Sequence, residues 1–387
     1  MPILNRAAEL HGEIREWRRD LHRTPELLFA VHETAAFVEA KLRALGCDEV
    51  VSGIGRTGVV GLIRGKRGQG PCIGLRADMD ALPMEEETGL AYRSTVSGRM
   101  HACGHDGHMA MLLGAAGYLA ETRNFSGTVA VIFQPAEEGG GGGREMVKDG
   151  LMERFAIERV FGMHNLPGLP VGQFAIRPGP IMAATAEFAI TIHGRGGHAA
   201  MPHTTVDPVV AAGQIIVALQ TIASRNADPL GALVVSVTQV HGGETHNVIP
   251  DKVELGGTVR TLDSTSNTRA EERMRAICAG VAAAHGAEVE VNYRNNYPVT
   301  FNHAGETAFA ADVAREIAGE GRVDTDARPL MAAEDFSYML ESRPGAFIFL
   351  GNGDSAPLHS PQYDFNDDAI PHGVSYWVRL AETALSG

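Results

Sequence analysis

Cysteine and tryptophan are scarce in this chain, and long apolar runs are missing. Its 387 residues include 4 Cys and 2 Trp, and aromatic residues make up 6%. The thiols Cys47, Cys72, Cys103 and Cys278 are scattered, which excludes the disulfide framework of a small secreted domain. A membrane span needs about 18 consecutive apolar residues, and none is expected here. The opening residues, MPILNRAAELHGEIREWRRD, are charged early and lack a signal peptide's apolar core and cleavage site. Positive charge is also in deficit: 33 Lys and Arg stand against 47 Asp and Glu, a formal net charge of −14. Such a surface disfavours nucleic acid and anionic membranes, so neither is an expected partner. A cytoplasmic protein with reduced thiols is the simplest expectation.

What is present is a globular composition. Hydrophobic residues make up 44% of the chain, enough for two domains with packed cores. Residues 5–46 predict two helices broken at Thr24-Pro25. Short apolar strands are expected at Gly58–Ile63, Cys72–Ala77, Thr128–Phe133 and Val160–Met163, with helices at Met109–Arg123 and Arg144–Asp149. This alternation predicts an α/β fold with a mostly parallel sheet. The pattern changes near residue 184. Strands at Glu187–Ile192, Leu233–Val240, Lys252–Arg260 and Glu288–Tyr293 alternate with helices at Asp207–Arg225 and Arg269–His285. That βαββαβ order is ferredoxin-like, and it places an inserted domain at 184–294 within a discontinuous domain of 1–183 and 295–387. A helix at 306–318, a strand Ala346–Leu350 and a helix His372–Leu385 then resume the first pattern.

The polar clusters follow strand ends, where open α/β sheets bind ligands. Met100–His108, MHACGHDGH, holds one thiol and three imidazoles. Its Cys103-x-His105 pair suits Zn²⁺ and its first-row neighbours. Glu137 and Glu138 follow the apolar strand 128–133. Adjacent carboxylates repel one another; with a cation nearby, one can bind it while the other handles a proton. A solvated helix start is the ordinary alternative. His164 and His359 follow other strands; each alone is an unremarkable histidine, but together they complete a five-residue set able to serve two metals. Asp78 and Asp80 are candidates for ligands, for groups that orient an imidazole, or for a simple turn start. The cluster Gly196–His203 and the later His246–Pro250 and Arg260 read as ordinary loop or strand residues from pattern alone.

Eight ordered motifs carry a resemblance: Arg76–Pro83, His101–Asp106, Phe133–Gly139, Gly162–Asn165, Gly197–His203, His246–Asp251, Ala333–Phe336 and Leu358–Pro361. The chain resembles M20-type metallopeptidases of the amidohydrolase subfamily, which holds hippurate hydrolases, N-acyl-amino-acid amidohydrolases and auxin-conjugate hydrolases. The resemblance implies a zinc-peptidase-like catalytic domain with an inserted ferredoxin-like lid that also makes a homodimer or homotetramer. It implies two divalent ions per subunit (Zn, Mn, Co or Ni) held by Cys103, His105, Glu138, His164 and His359. Glu137 matches the general base. His198, or else His203, matches a lid histidine that stabilises the oxyanion from the partner subunit. Asn247 and Arg260 match positions that hold a substrate carboxylate. Ala333 and Leu166 depart from the common pattern, where Ser and an aromatic residue stand.

The implied reaction is hydrolysis of an N-acyl amino acid to a carboxylic acid and a free amino acid. The competing expectations are a dipeptidase or carboxypeptidase, an N-carbamoyl-amino-acid hydrolase, and a non-enzymatic binding protein on the same scaffold. The last predicts a broken ligand set or base.

Overall fold

The computed structural model describes residues 4–387. The chain divides into two compact units. One comprises residues 4–181, 300–328 and 335–387; the other comprises 182–299 and 329–334.

The first unit is built on an eight-stranded sheet. Strands β1 (Glu49–Ile54), β2 (Gly58–Arg64), β3 (Cys72–Asp78), β4 (Thr128–Gln134), β5 (Ile157–Pro167) and β6 (Phe174–Ala175) lie in it with Gly345–Gly353 and Val323–Asp324. The spatial order is β1-β2-β4-β3-β5, then Gly345–Gly353, β6 and Val323–Asp324. The middle of the sheet is parallel: β3 pairs in parallel with β4 and β5, and Gly345–Gly353 with β5. The expected mostly parallel sheet is therefore mixed, because β1 and β2 form a hairpin that adds antiparallel to β4. Sequence pattern missed β1 because it is an edge strand with most side chains exposed or half-exposed.

Residues of β4 are apolar and largely β-branched, which suits a strand covered on both faces; six of its seven are buried. Helices α1 (Asn5–Arg23), α2 (His32–Ala44) and α3 (His105–Thr122) pack over the sheet with the helix Ile370–Ala384. α3 is buried almost all round through its first three turns, from His105 to Ala116. Helical periodicity located α3 only from Met109, because three polar residues lie in its first turn.

The second unit is a four-stranded antiparallel sheet in the order Leu233–His241, Lys252–Thr261, Ala184–His193, Glu288–Tyr297. Two helices, Pro208–Thr221 and Ser264–His285, cover one face around a separate core that includes Phe188, Ile190, Ile215, Leu219 and Met274. This is the ferredoxin-like arrangement. Asp207 caps the first helix by accepting from the Val209 and Val210 amides, with Pro208 at the first helical position. That helix, with its continuation to Asn226, is long and apolar enough to cross a membrane. Gln214, Gln220 and Thr221 interrupt it, so it contains no unbroken run of about 18 apolar residues. The helix buries Ala211, Ala212, Ile215 and Leu219 against its own sheet, as a core helix does.

Candidate metal centre

The proposed ligands and base of the first unit gather at one edge of its sheet. β3, β4, β5 and Gly345–Gly353 run in one direction, so their carboxyl ends coincide. Asp78 ends β3, Glu137 and Glu138 follow β4, His164 lies near the end of β5, and His359 follows Gly345–Gly353. Cys103 and His105 come from the segment that enters α3.

Local backbone geometry fixes that segment. Gly104 takes φ +91°, and a Cβ there would collide with Asn165 Nδ2, so glycine is required. Asn165 Nδ2 donates to the Cys103 carbonyl at 2.7 Å, and the Tyr363 hydroxyl donates to Asn165 Oδ1 at 2.6 Å. The His359 amide donates to the Ala102 carbonyl at 2.8 Å, while His359 itself sits in the left-handed region at φ +62°. Two distant loops are thereby tied together around Cys103.

The ligand atoms then converge. Cys103, Glu138 and His359 place theirs within 4.8 Å of one another, and so do His105, Glu137 and Glu138. Cys103 Sγ lies 3.4 Å from His164 Nε2, and Glu138 Oε1 lies 3.3 Å from His359 Nε2 and 3.9 Å from His105 Nε2. Both buried imidazoles are turned the same way. His105 Nδ1 donates to the Asp80 carbonyl at 2.7 Å, and His164 Nδ1 to the Asn165 carbonyl at 2.7 Å. Each Nε2 lone pair is therefore aimed inward, the orientation metal-binding histidines have when the other nitrogen is pinned. His105 Nε2 and Glu138 Oε1 are buried without a hydrogen-bond partner. A divalent cation fits these atoms: it satisfies the orphaned nitrogen and oxygen, and the surrounding set of sulfur, nitrogen and oxygen suits it.

A second group of metal-capable residues is Asp78, His105, His108 and His164, but hydrogen bonding accounts for two of them. His108 Nε2 accepts from the Asn165 amide at 3.0 Å, so its proton is on Nδ1, which donates to Asp78 Oδ1 at 2.6 Å. Both nitrogens are used, and His108 has no lone pair to offer. Asp78 Oδ2 accepts from Arg76 at 2.8 Å. Asp80 accepts the Glu137 amide at 2.8 Å and the Glu138 amide at 3.1 Å. Asp78 is thus bonded to His108 and Arg76, and Asp80 to the backbone that carries Glu137 and Glu138.

Electrostatics follow from burial and crowding. Burial, reinforced by Glu138 and Glu137, pushes the Cys103 thiol well above its ordinary value; a cation reverses this, since a coordinating thiol is deprotonated. Burial holds His164 well below its usual value, so it stays neutral. Burial raises Asp80 to about 7, helped by Glu138 and opposed by His105. For Asp78, His105 and Arg76 outweigh burial and hold it well down.

Sequence reasoning named Asp78 and Asp80 but missed the supports behind them. Arg76 is buried in β3 and bonds Gln134 Oε1, Asp78 Oδ2 and Asp335 Oδ1. Its signal was a lone charge inside an apolar strand, Cys72-Ile-Gly-Leu-Arg-Ala. Asp106, in the first turn of α3, meets Arg18 at 3.4 Å and His22 Nδ1 at 2.8 Å, and His22 Nε2 lies 3.3 Å from Glu86. Those contacts explain the buried polar turn. His101 is fully buried and driven down to about 3 by that burial, so it is a neutral packing group.

The candidate lid residues all lie in the second unit. His198 is in a two-residue strand paired with Val248–Ile249, and the Asn247 carbonyl accepts the Ala199 amide at 3.0 Å, so His198 and Asn247 are neighbours. The Ala200 amide donates to His198 Nδ1 at 3.0 Å; the ring proton therefore sits on the exposed Nε2. His203 is in an exposed 3₁₀ turn. Arg260 is half-buried in the strand Lys252–Thr261; its guanidinium makes no hydrogen bond or ion pair among the described residues, and burial lowers its pKa against the opposing effect of Glu187.

Comparison with known proteins shows the family. The chain is 43% identical to a hippurate hydrolase of Campylobacter jejuni, over 98% of this chain and 99% of that one. It is 42% identical to an N-acetyl-L-cysteine deacetylase of Bacillus subtilis, over 95% and 87%. The crystal structure of the Bacillus subtilis YXEP protein, described as a dinuclear metal binding peptidase, superposes with a TM-score of 0.86 at 36% identity, covering 98% of this chain and 99% of that one. Residues 74–383 match the pattern of peptidase family M20/M25/M40, and the chain belongs to that family.

Proposed function

We propose that this protein hydrolyses the amide bond of N-acyl amino acids, with Glu137 as general base beside a pair of divalent ions held by Cys103, His105, Glu138, His164 and His359. The carrying observation is the meeting of Glu137 with two orphaned ligand atoms, His105 Nε2 and Glu138 Oε1, in one buried cluster. The activities borne in the names of the hippurate hydrolase and the N-acetyl-L-cysteine deacetylase support the substrate class. Bound divalent metal supplies Lewis acidity to water and to the substrate carbonyl. Glu137 takes a proton from the attacking water and returns it to the leaving nitrogen. Asp80 holds the Glu137 and Glu138 amides, so base and ligand are aimed by one carboxylate.

The second unit is proposed to serve as lid, with the domain boundaries near 184 and 294. Its His198 presents an Nε2–H suited to an oxyanion, which favours it over His203. Arg260, whose guanidinium lacks a hydrogen-bond or ion-pair partner among the described residues, is proposed to pair with the substrate's free carboxylate; Asn247, which adjoins His198, is proposed to bind substrate there. The same unit is proposed to form the homodimer contact, or that of a homotetramer. Its edge strand Leu233–His241 carries no formally charged Asp, Glu, Lys or Arg, whereas the opposite edge carries Glu288, Glu290 and Arg294. Charged residues protect free edges; the uncharged edge lacks that protection. Val240 on that edge and Val217 on the helix are 57% and 71% exposed. Four unpaired cysteines support a reducing, cytoplasmic setting.

The test is turnover of N-benzoylglycine, N-acetylmethionine, a dipeptide and an N-carbamoyl amino acid, with Zn²⁺, Mn²⁺, Co²⁺ or Ni²⁺ supplied separately. Glu137→Gln is expected to bind metal normally and lose about a hundred- to ten-thousand-fold in kcat. Retained turnover removes Glu137 as base.

A further inference from the structure

Six described non-glycine residues occupy the left-handed backbone region: Leu28, Arg56, Arg123, Ala136, Ala156 and His359. Such strain persists where surrounding structure imposes it, and it clusters at functional sites. Ala136 precedes the proposed base, and His359 is a proposed ligand. Leu28 and Arg56 have no such role, yet they sit against the same loop.

Three contacts put them there. Leu27 bridges Ala81, and the Ala81 amide donates to the Glu26 carbonyl at 2.8 Å; Ala81 adjoins Asp80, which holds the Glu137 and Glu138 amides. The Phe29 ring abuts Gly140, where a Cβ would lie 3.0 Å from Phe29 Cε2 and 2.6 Å from Ala136 Cβ. The Arg56 guanidinium lies 4.0 Å from the centre of the Phe29 ring, and the Thr57 hydroxyl donates to the Phe29 carbonyl at 3.1 Å. Leu28 thus lies between two residues that each touch a segment flanking Glu137 and Glu138. It remains 42% exposed, so it is held in a strained conformation without being buried in the core.

We propose that the Leu28–Phe29 turn is the acyl-side wall of the site, and that Leu28 sets a preference for bulky apolar acyl groups, such as benzoyl, over acetyl. This rests on the amide-hydrolase reading above. Electrostatics choose the acyl end. The wall adjoins the Ala136–Gly140 segment that carries Glu137 and Glu138, and the apolar Leu28 side chain offers a free substrate carboxylate neither a charge nor a hydrogen bond. The nearby cation, Arg56, stacks on Phe29 and lies 3.8 Å from Glu145. The neutral end of the substrate is therefore the end that faces Leu28. Phe29, packed against Gly140 and stacked with Arg56, holds the turn in place and is a positioning residue.

The experiment compares kcat/KM for N-benzoylglycine and N-acetylglycine in the metal-loaded wild-type enzyme and in Leu28→Gly and Leu28→Asn. Both replacements tolerate positive φ, so the turn is kept while the apolar side chain is lost. The benzoyl-to-acetyl ratio is expected to fall about tenfold or more, carried mainly by KM for the benzoyl substrate. A ratio unchanged within about twofold in both variants, with both substrates still turned over, overturns the wall and leaves the amide-hydrolase reading intact. If the wild-type enzyme cleaves neither substrate, that reading fails and the wall falls with it.

Discussion

An imidazole has two nitrogens, and whatever binds one decides what the other can do. Among the histidines near the cluster, His105 and His164 are pinned through Nδ1 to backbone carbonyls, and His108 is used at both nitrogens. Residue type and spacing pointed to the region of the site, but these assignments depend on partners far along the chain, such as Asn165 and Asp78, and were not legible. Cys103 carries the sharpest expectation. Cys103→Ala should lower metal from roughly two to roughly one ion per chain by elemental analysis; full occupancy removes it from the ligand set. His22 offers a pH test. Burial opposes its charge, but Asp106 and Glu86 outweigh that and raise it to about 9. A raised folded-state value means the charged form stabilises the fold fully below the unfolded value of about 6.5, and that stabilisation is lost as pH rises through 9. The Tm advantage of wild type over His22→Gln should therefore be greatest below about pH 6.5 and shrink toward pH 9 and above. A difference independent of pH means His22 acts by packing alone.

Among the elements, α3 carries most of the positioning. Its first turn is bound to α1 through Asp106, Arg18 and His22, and its Gly107 faces the Phe365 ring with no room for a Cβ. In an open helix, glycine to alanine gains up to about 1 kcal/mol. Here overpacking should dominate, and Gly107→Ala is expected to destabilise by about 1–3 kcal/mol, read from the denaturation midpoint. A stabilised variant means the ring moves aside freely. Strands with strong apolar patterning, β3 and β4 among them, were readable from sequence. β1 and β6 were not, since one is exposed and the other has two residues. The start of α3 was hidden for the opposite reason: its polar residues are buried by partners that no local window contains.

At the scale of the whole molecule, the change of pattern near residue 184 was visible because two packing problems are solved separately. One core fills the space over the mixed sheet; the other lies between two helices and an antiparallel sheet. Eight motifs in order made the family legible as well, whereas Leu28 is not in any of them. The proposed assembly predicts that Val240→Lys, on the uncharged edge strand, converts a homodimer to monomers in light scattering, with far-ultraviolet circular dichroism unchanged. A dimer that survives the charge places the interface elsewhere. The proposed ligands also differ in when they are made. Cys103, His105, Glu138 and His164 precede the second unit in the chain, and His359 follows it. During vectorial synthesis, domains generally fold as units from the N-terminal side. A nascent chain therefore carries four of the five proposed ligands before His359 has been added. The first unit is discontinuous and takes the strand Gly345–Gly353 into its sheet, so the proposed site waits for the C-terminal segment before it can close around an ion.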